Sequence, residues 1–559
     1  MSENYWVRTF GTRLSRRRFL RMGAVGAAGA VSASLLACRE QPAAQPPAEA
    51  PAGPPKRGGT FTLAMGGEPR SLDPHFDTFP FNTAITNNTN EGLLRFKPDQ
   101  SAIEPELAVS MPEIVDPTTF VFRLRQGVRF HDTPEIRQDL PTLAGREMTA
   151  EDVKYSIERQ STNQPGRFQH AYFFLGKLAR IDAVDRYTVR FVFNRPFAPA
   201  LSYLASPWTL VIAREVVEKD GDLTKRAIGT GPFIFKSWTR NVEFVLERNP
   251  NYWQPELPYI DRLVYRVVVD PATALNMFVS RELDATGVDF TLLAEAKRLV
   301  PNATYQFGPS QFWRQFRTQP WDDQRPHLPP YNDIRVREAL ILAIDSKEVL
   351  DLVHSGDGIL TTGPILPIYK KWALPEDPVR GPNPTRAKQL LEAAGYPNGF
   401  EEEMIFASAG LANPQLHIQI GEVLQRQLAR IGVRVNLRPM ELAAYYNKTY
   451  AYDYKMSHHI PLNNPDPDEN LESYFGETAT FYRWGNKEIW RAIRAQSEEV
   501  NEERRIELVH RASRMIVLDY PMRFMFTPNN HFFIHPWVKN WRFPVDLYDG
   551  RKWSAWIDR

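Results

Sequence analysis

Two hydrophobic periods alternate along most of this chain, and they decide which fold classes it can adopt. Apolar residues at every second position, as in Phe61, Leu63 and Met65, predict strands with one buried face. Apolar residues three and four apart, as in the run from Val336 to Ile344, predict helices that bury one stripe. Because the two patterns interleave over 559 residues without an internal repeat, we expect an α/β protein with several lobes.

The ends of the predicted helices are also marked in the sequence. Thr149 and Asp152 form a capping pair at the start of one helix, and Asn332 or Asp333 caps another. A run of inward-facing apolar residues ends at Gly432, which is followed by residues that alternate in polarity. This order of helix, tight turn and strand is typical of an α/β unit.

Residues 1–37 have the composition of an export leader. A basic stretch that includes Arg16 and Arg17 runs directly into the apolar segment Met22–Ala37, which is too short and too rich in glycine and alanine for a spanning helix. The basic stretch resembles the twin-arginine export signal. The residues that end at Cys38 resemble the lipobox of bacterial lipoproteins, in which the cysteine is lipidated. The alternative is an ordinary cleaved leader with an incidental cysteine.

Residues 38–57 are predicted to form an extended tether. Six of them are proline and most of the others are alanine, glutamine or glutamate, so the segment cannot bury enough apolar surface to fold. A lipid on Cys38 would hold the protein at a membrane, and the tether would keep the folded body clear of it. We therefore expect an exported, lipid-anchored protein at the outer face of the cytoplasmic membrane, in the periplasm.

Charge and composition exclude several classes of function. Removing the six basic residues and the one acidic residue before Cys38 turns the formal charge of +2 into −3. The rest of the chain has no basic run that would follow a phosphate backbone, so we expect no nucleic-acid partner. A single cysteine excludes an internal disulfide and a cysteine-rich metal site.

No motif indicates catalysis or a bound cofactor. The chain lacks a P-loop, a G-x-S-x-G nucleophile turn and an H-E-x-x-H zinc motif. Gly229-Thr230-Gly231 is a short glycine turn that precedes a strand, whereas a phosphate cradle precedes a helix. We expect no enzyme, no cofactor and no metal site. The sequence leaves open a carboxylate pair for glycoside hydrolysis.

Short blocks over essentially the whole chain after the leader resemble family 5 extracellular solute-binding proteins. These are the peptide- and nickel-binding components of ABC importers. The blocks, in order, are Arg57–Thr60, Leu72–Pro74, Glu91–Leu94, Phe120–Gly127, Phe130–Asp132, Met148–Val153, Gly229–Phe233, Arg248–Trp253, Asp333–Ala339, Ala343–Asp345 and Ala387–Pro397.

The resemblance implies a periplasmic-binding-protein-like fold with two lobes around a ligand cleft. Residues 58–308 would form the first lobe, with a sub-domain near 96–220, and residues 522–559 would return to it. Residues 309–521 would form the second lobe, and a ligand that contacts both lobes would stabilise their closure. Such a protein captures a peptide-like or other small polar solute as a monomer and passes it to an ABC permease. A secreted hydrolase and a tethered solute sensor are alternatives.

The resemblance also suggests which residues bind the ligand. Peptide-binding relatives pair the ammonium group of the peptide with the Asp of a Trp-x-x-Asp element, and Asn463 stands at that position here. We therefore expect a ligand other than a free-amine peptide, unless Asp466 or Asp468 takes the role. Of the adjacent His458 and His459, one is expected to face the cavity; the plainer interpretation is one packed and one exposed histidine. Because the resemblance includes nickel-binding relatives, a chelated metal at these histidines is an alternative. Trp313 is a candidate stacking wall or a core residue.

Overall fold

The structure is a computed structural model that describes residues 53–76, 80–97, 102–161, 170, 173–409, 413–462, 464–479, 481–541 and 552–559. The predicted export signal and lipidation site, with Arg16, Arg17 and Cys38, lie outside the described residues, as does Asn463. Within those ranges, no helix has both the length and the apolar character that crossing a bilayer requires.

Twenty strands are present in the described chain. They are β1 Thr60–Met65, β2 Leu94–Phe96, β3 Ile103–Pro105, β4 Glu113–Asp116, β5 Thr119–Arg123, β6 Leu178–Asp185, β7 Thr188–Phe193, β8 Phe233–Thr239, β9 Glu243–Arg248, β10 Arg262–Val267, β11 Ala285–Val288, β12 Thr304–Pro309, β13 Arg314–Arg317, β14 Gly358–Leu360, β15 Glu401–Ala409, β16 Arg434–Glu441, β17 Met456–His459, β18 Met522–Ile534, β19 Val538–Lys539 and β20 Trp556–Ile557.

Helices lie between these strands along the whole described chain, which confirms the predicted α/β class. The α-helices are α1 Pro80–Thr89, α2 Pro134–Asp139, α3 Ala150–Gln160, α4 Ala200–Leu204, α5 Arg214–Asp220, α6 Pro271–Val279, α7 Leu293–Leu299, α8 Ile334–Leu342, α9 Ser346–His354, α10 Pro384–Ala393, α11 Pro414–Ala429, α12 Leu442–Tyr450, α13 Pro467–Phe475, α14 Lys487–Glu498 and α15 Glu502–Leu518. Two 3₁₀ segments are Phe290–Leu292 and Pro367–Trp372.

One twelve-stranded sheet organises the protein, and β18 joins its two halves. The second half, β16-β15-β17-β13, pairs with the first part of β18, and the first half, β11-β1-β10-β9-β8, pairs with its last part. β14 and β12 also pair with β18. Phe526 of β18 lies opposite Arg314 of β13, whereas Asn529 lies opposite Pro309 of β12. The chain therefore crosses between the halves close to these residues, once before β13 and once within β18.

A separate antiparallel sheet, in the order β4-β5-β7-β6, lies beside the main one. Phe120 and Phe122 of β5 are buried, as their alternation predicts, and the ring of Phe122 meets Phe191 of β7 edge-on at 5.5 Å. The same hydrophobic cluster includes Phe475 of α13. The small sheet and α13 therefore belong to one hydrophobic cluster.

The C-terminal residues pack on the first half of the main sheet. Ile557 of β20 shares a core with Phe61 of β1 and Leu263 of β10. The ring of Trp541 meets that of Phe61 at 5.1 Å. The last strand of the described chain, β20, thus lies beside the first, β1. The residue boundaries of the two lobes stay a prediction.

The predicted helix ends are confirmed. Thr149 donates its backbone N–H to the Asp152 carboxylate at 2.8 Å, which is half of the capping box of α3. Asp333, rather than Asn332, caps α8. After α11, Gly432 has φ +88°, a left-handed conformation that residues with a Cβ rarely adopt. These local signals fix where the helices begin and end around the second half of the sheet.

Candidate functional site

A cavity of about 1260 Å³ lies between the two halves of the sheet. The first half contributes Glu68 and Asp270, the second half contributes Tyr445 and His458, and Arg314 lines the cavity from the crossing strand. Small-molecule sites usually measure roughly 300–1,000 Å³, so this cavity has room for one ligand larger than a typical small molecule.

The chain first crosses between the halves of the sheet just before β13, and this segment shows which side chains reach the cavity. Successive residues of a strand point to opposite faces, and Phe312 and Arg314 line the cavity. Trp313 points the other way: its ring stacks on Phe524 at 5.2 Å and it is buried in the hydrophobic core. The structure thus places Trp313 in the core and not on the cavity wall.

Strand β17 places both of the adjacent histidines beside the cavity. The ring of His458 stacks on Phe406 at 4.5 Å, and its Nε2 donates to the carbonyl oxygen of His417 at 3.0 Å. His459 Nδ1 lies 2.8 Å from the Tyr445 hydroxyl. Burial lowers the pKa of both His458 and His459 well below the usual value. Neither is exposed, so the interpretation with one exposed histidine is wrong.

Asp466 lies away from the cavity wall, in a buried ion pair. Its Oδ1 is 2.6 Å from Nη2 of Arg505, and the two side chains are 3% and 0% exposed. The same oxygen accepts the backbone N–H of Asp468 at 2.9 Å, at the start of α13. This carboxylate is occupied within the protein and is not placed to receive the ammonium group of a ligand.

Arg314 is the cavity residue that the sequence interpretation missed. It is 7% exposed, and its Nε and Nη1 have no hydrogen-bond partner among the described residues. The sequence does contain a signal for this residue. Arg314 and Arg317 occur in a short strand that must be buried, because the chain passes there from one lobe to the other, and arginine is rarely buried without a reason. Arg317 also has Nε and Nη1 without a hydrogen-bond partner among the described residues, but it packs among tyrosines, with Nη2 3.3 Å from the Tyr445 hydroxyl.

Two hydrogen bonds join segments that lie far apart in the chain near the cleft. Asn413 of the second half donates its side-chain amide to Asp289 of the first half at 3.4 Å. Beside the small sheet, the Tyr203 hydroxyl donates to Asp468 of α13 at 2.5 Å. Asn413 and Asp289 both line the cavity, so the first of these contacts bridges its two walls.

Two buried carboxyl groups with raised pKa values lie away from the cavity. Burial, and then the neighbouring Glu106, raise the pKa of Glu91 to about 7, against hydrogen bonds donated by Trp253 and Tyr252. Burial also raises the pKa of Asp468. A hydrolase needs such groups converging in its cleft, and neither of these lines the cavity. In the described chain, no cluster of three or more His, Cys, Asp or Glu side chains is arranged to hold a metal ion.

Known proteins match this chain over most of its length. The model of the family "Bacterial extracellular solute-binding proteins, family 5 Middle" matches residues 102–482. Heme-binding protein A of Haemophilus influenzae is 28% identical over 451 residues, which cover 76% of this chain and 79% of that protein. Di/tripeptide-binding protein 2 of Pseudomonas aeruginosa is 27% identical over 484 residues, which cover 82% of this chain and 87% of that protein.

A solved structure confirms the predicted fold. The periplasmic binding protein DppA from Helicobacter pylori, in complex with the peptide STSA, superposes with a TM-score of 0.79 at 23% identity. The match covers 90% of this chain and 99% of that one. The fold is therefore the periplasmic-binding-protein-like α/β fold that the motifs predicted. Since the family model spans more than half of its length, this chain belongs to the bacterial extracellular solute-binding proteins of family 5, and its role is to bind a substrate.

Proposed function

We propose that this protein is the extracytoplasmic receptor of an ABC importer, which encloses a small solute and passes it to a permease. The observation that carries the proposal is the cavity of about 1260 Å³ lined from both halves of the sheet. A ligand that contacts both halves stabilises their closure, and a permease can distinguish the closed from the open state. A receptor of this kind needs no catalytic group.

The two lobes of this receptor are residues 58–308 with 522–559, and residues 309–521, with the sub-domain near 96–220 in the first lobe. The pairing of β18 supports this division: its first part pairs with β13 and its last part with β12 and β11, so the chain passes between the halves beside β13 and within β18. Two adjacent crossings act as a hinge, because a small number of residues there absorb the change in backbone angles. One chain supplies both walls, so a monomer suffices.

The solute is peptide-like or another small polar molecule. Phe312, Tyr445 and Tyr446 offer flat apolar surface in the cavity, and Glu68 and Asp270 offer acceptors. Related proteins are named for di- and tripeptides and for heme, which agrees with a peptide-like or other small solute.

The function is tested by identifying the solute that co-purifies with the full chain, by mass spectrometry, and removing it. Returning the solute at a hundredfold excess over its Kd should add about 2.7 kcal/mol to the free energy of unfolding. Small-angle X-ray scattering should show a smaller radius of gyration with solute than without it. A protein that carries no solute and has the same scattering curve in every solute tested would contradict the receptor function.

We also propose that the receptor is exported through the signal containing Arg16 and Arg17 and held at the membrane by a lipid on Cys38. Two or three acyl chains bind a bilayer stably, at roughly 0.8 kcal/mol for each buried methylene. The variant Cys38→Ser should therefore move from the membrane fraction to the soluble periplasmic fraction and lose labelling by radioactive palmitate. A labelled or membrane-bound Cys38→Ser protein would count against the anchor.

A further inference from the structure

Helix α13 is buried on every side although many of its residues are polar. All nine residues from Pro467 to Phe475 are buried, and the polar ones are Asp468, Glu469, Asn470, Glu472 and Ser473. Acidic residues are almost never fully buried unless they are paired. Surfaces between domains that separate are more polar than permanent interfaces. The composition of α13 is therefore typical of a surface that is covered for only part of the time.

The sub-domain near 96–220 supplies the cover over α13. The hydroxyl of Tyr203, in α4, donates to Oδ2 of Asp468 at 2.5 Å, and Nε2 of His170 lies 3.7 Å from Oε1 of Glu469. Tyr203 and Asp468 are both 0% exposed. Among the described residues, neither α4 nor α13 contributes a side chain to the wall of the cavity. This contact therefore lies outside the solute site.

The charge of Asp468 is balanced from the side of the sub-domain. Burial raises the pKa of the Asp468 carboxyl, and Glu472 and Asp466, which both lie in the second lobe, raise it further. The Lys177 ammonium and the Tyr203 hydroxyl, which both belong to the sub-domain, act the other way and favour the charged form. Separating the sub-domain from α13 would therefore remove a cation and a hydroxyl donor from Asp468 together.

The sub-domain also completes the end of α14. The backbone N–H of Ala198 donates to the carbonyl oxygen of Ser497 at 2.8 Å. Ser497 lies in the last turn of α14, where carbonyl groups have no partner within the helix. Arg195 and Glu498 form an ion pair beside it at 3.2 Å, but the two side chains are 58% and 36% exposed, so that pair contributes little. The sub-domain thus supplies donors both to a side chain and to the backbone of the second lobe.

We propose that the contact between Tyr203 and Asp468 is a latch that forms only when the lobes close, so that solute affinity depends on residues outside the cavity. The inference rests on the proposed receptor function and on its division into lobes, which places Tyr203 in the first lobe and Asp468 in the second. Tyr203 is therefore a positioning residue, which touches no solute and acts on binding through closure.

The size of the effect follows from the population of the closed state. A contact made only in that state raises its population, and the apparent affinity for a solute scales with this population. Tyr203→Phe keeps the ring that stacks on Phe173 at 4.0 Å and removes only the hydroxyl. Because the lost hydrogen bond goes to a charged group, we expect this variant to need roughly 10-fold to 100-fold more solute for half-maximal closure.

The test uses the full chain and the solute fraction that denatured wild-type protein releases. Small-angle X-ray scattering follows closure as this fraction is added to the solute-free wild type and to Tyr203→Phe. Tyr331→Phe is the matched control, because the Tyr331 hydroxyl donates to Glu402 at 3.0 Å and both residues lie in the second lobe. The control should lower the Tm of the solute-free protein and leave the half-maximal concentration unchanged. Tyr203→Phe should instead keep the solute-free Tm and raise that concentration.

Hydrogen–deuterium exchange of residues 195–204 shows whether the latch opens. In the wild type, the added solute fraction should slow exchange there, because the Ala198 N–H gains its acceptor. Equally slow exchange with and without the fraction would mean a permanent contact; the latch is then overturned, while scattering still decides the receptor function. An unchanged half-maximal concentration for Tyr203→Phe also overturns the latch. If the fraction alters neither the scattering nor the exchange of the wild type, the receptor function fails and the latch fails with it.

Discussion

Replacing Arg505 by methionine is expected to lower the free energy of unfolding by about 3–5 kcal/mol. Arg505 and Asp466 form an ion pair in which neither side chain is more than 3% exposed. Arg505 Nε also donates to Gln496 at 3.3 Å, and Gln496 donates to Asp468 at 2.5 Å. Methionine has a similar shape but leaves the Asp466 carboxylate buried without a counter-ion, and that uncompensated charge is the main cost.

Urea unfolding of the full chain measures this loss, with two variants as controls. Arg491→Met breaks an ion pair in which both side chains are more than two-thirds exposed, so it should change the stability by no more than about 1 kcal/mol. The double variant Arg505→Met with Asp466→Asn should recover part of the loss, because asparagine is neutral and can still cap α13. A loss below about 1 kcal/mol for Arg505→Met would show that water reaches Asp466 and that the pair is not truly buried.

The local parts of the fold could be predicted from the sequence because their causes are local. The capping pair of Thr149 and Asp152 and the glycine at Gly432 act within a few residues, so reading the neighbouring residues is sufficient. The alternation of Phe120 and Phe122 likewise requires only that one face of a strand be buried. The family-specific blocks then gave the overall fold, which no local pattern determines.

The site was predicted less well because its causes lie far apart in the chain. Trp313 and Arg314 are adjacent, and which of them faces the cavity depends on the pairing of β13 with β18, more than 200 residues later. Asp466 resembled a free ligand-binding carboxylate because its partner, Arg505, is 39 residues away in another helix. The sequence allowed one of the two adjacent histidines to be exposed, yet His459 is covered by Tyr445 of α12.

Replacing Gly231 by alanine is expected to lower the free energy of unfolding by about 3 kcal/mol, the upper end for overpacking. A Cβ on Gly231 would lie 2.6–2.8 Å from backbone atoms of Asn88 and Thr89, at the end of α1. Backbone atoms cannot turn away as the end of a side chain can. The turn itself is fixed as well, since the Gly231 carbonyl accepts the His131 ring N–H at 3.0 Å and the Asn249 amide at 3.0 Å. This close approach, rather than a phosphate, is why the turn holds glycine.

The matched control for Gly231→Ala is Gly308→Ala. A Cβ on Gly308 meets nothing within 4 Å, and its backbone is not in the left-handed region, so the added methyl group should leave stability unchanged or raise it by up to about 1 kcal/mol. Both variants are measured by urea unfolding, with the solute removed so that ligand binding does not mask the difference. Equal stability of the two variants would mean that α1 can shift away from the turn. In that case the backbone at the end of α1 could move to make room for a methyl group, and the stability of the first lobe would not depend on this close contact.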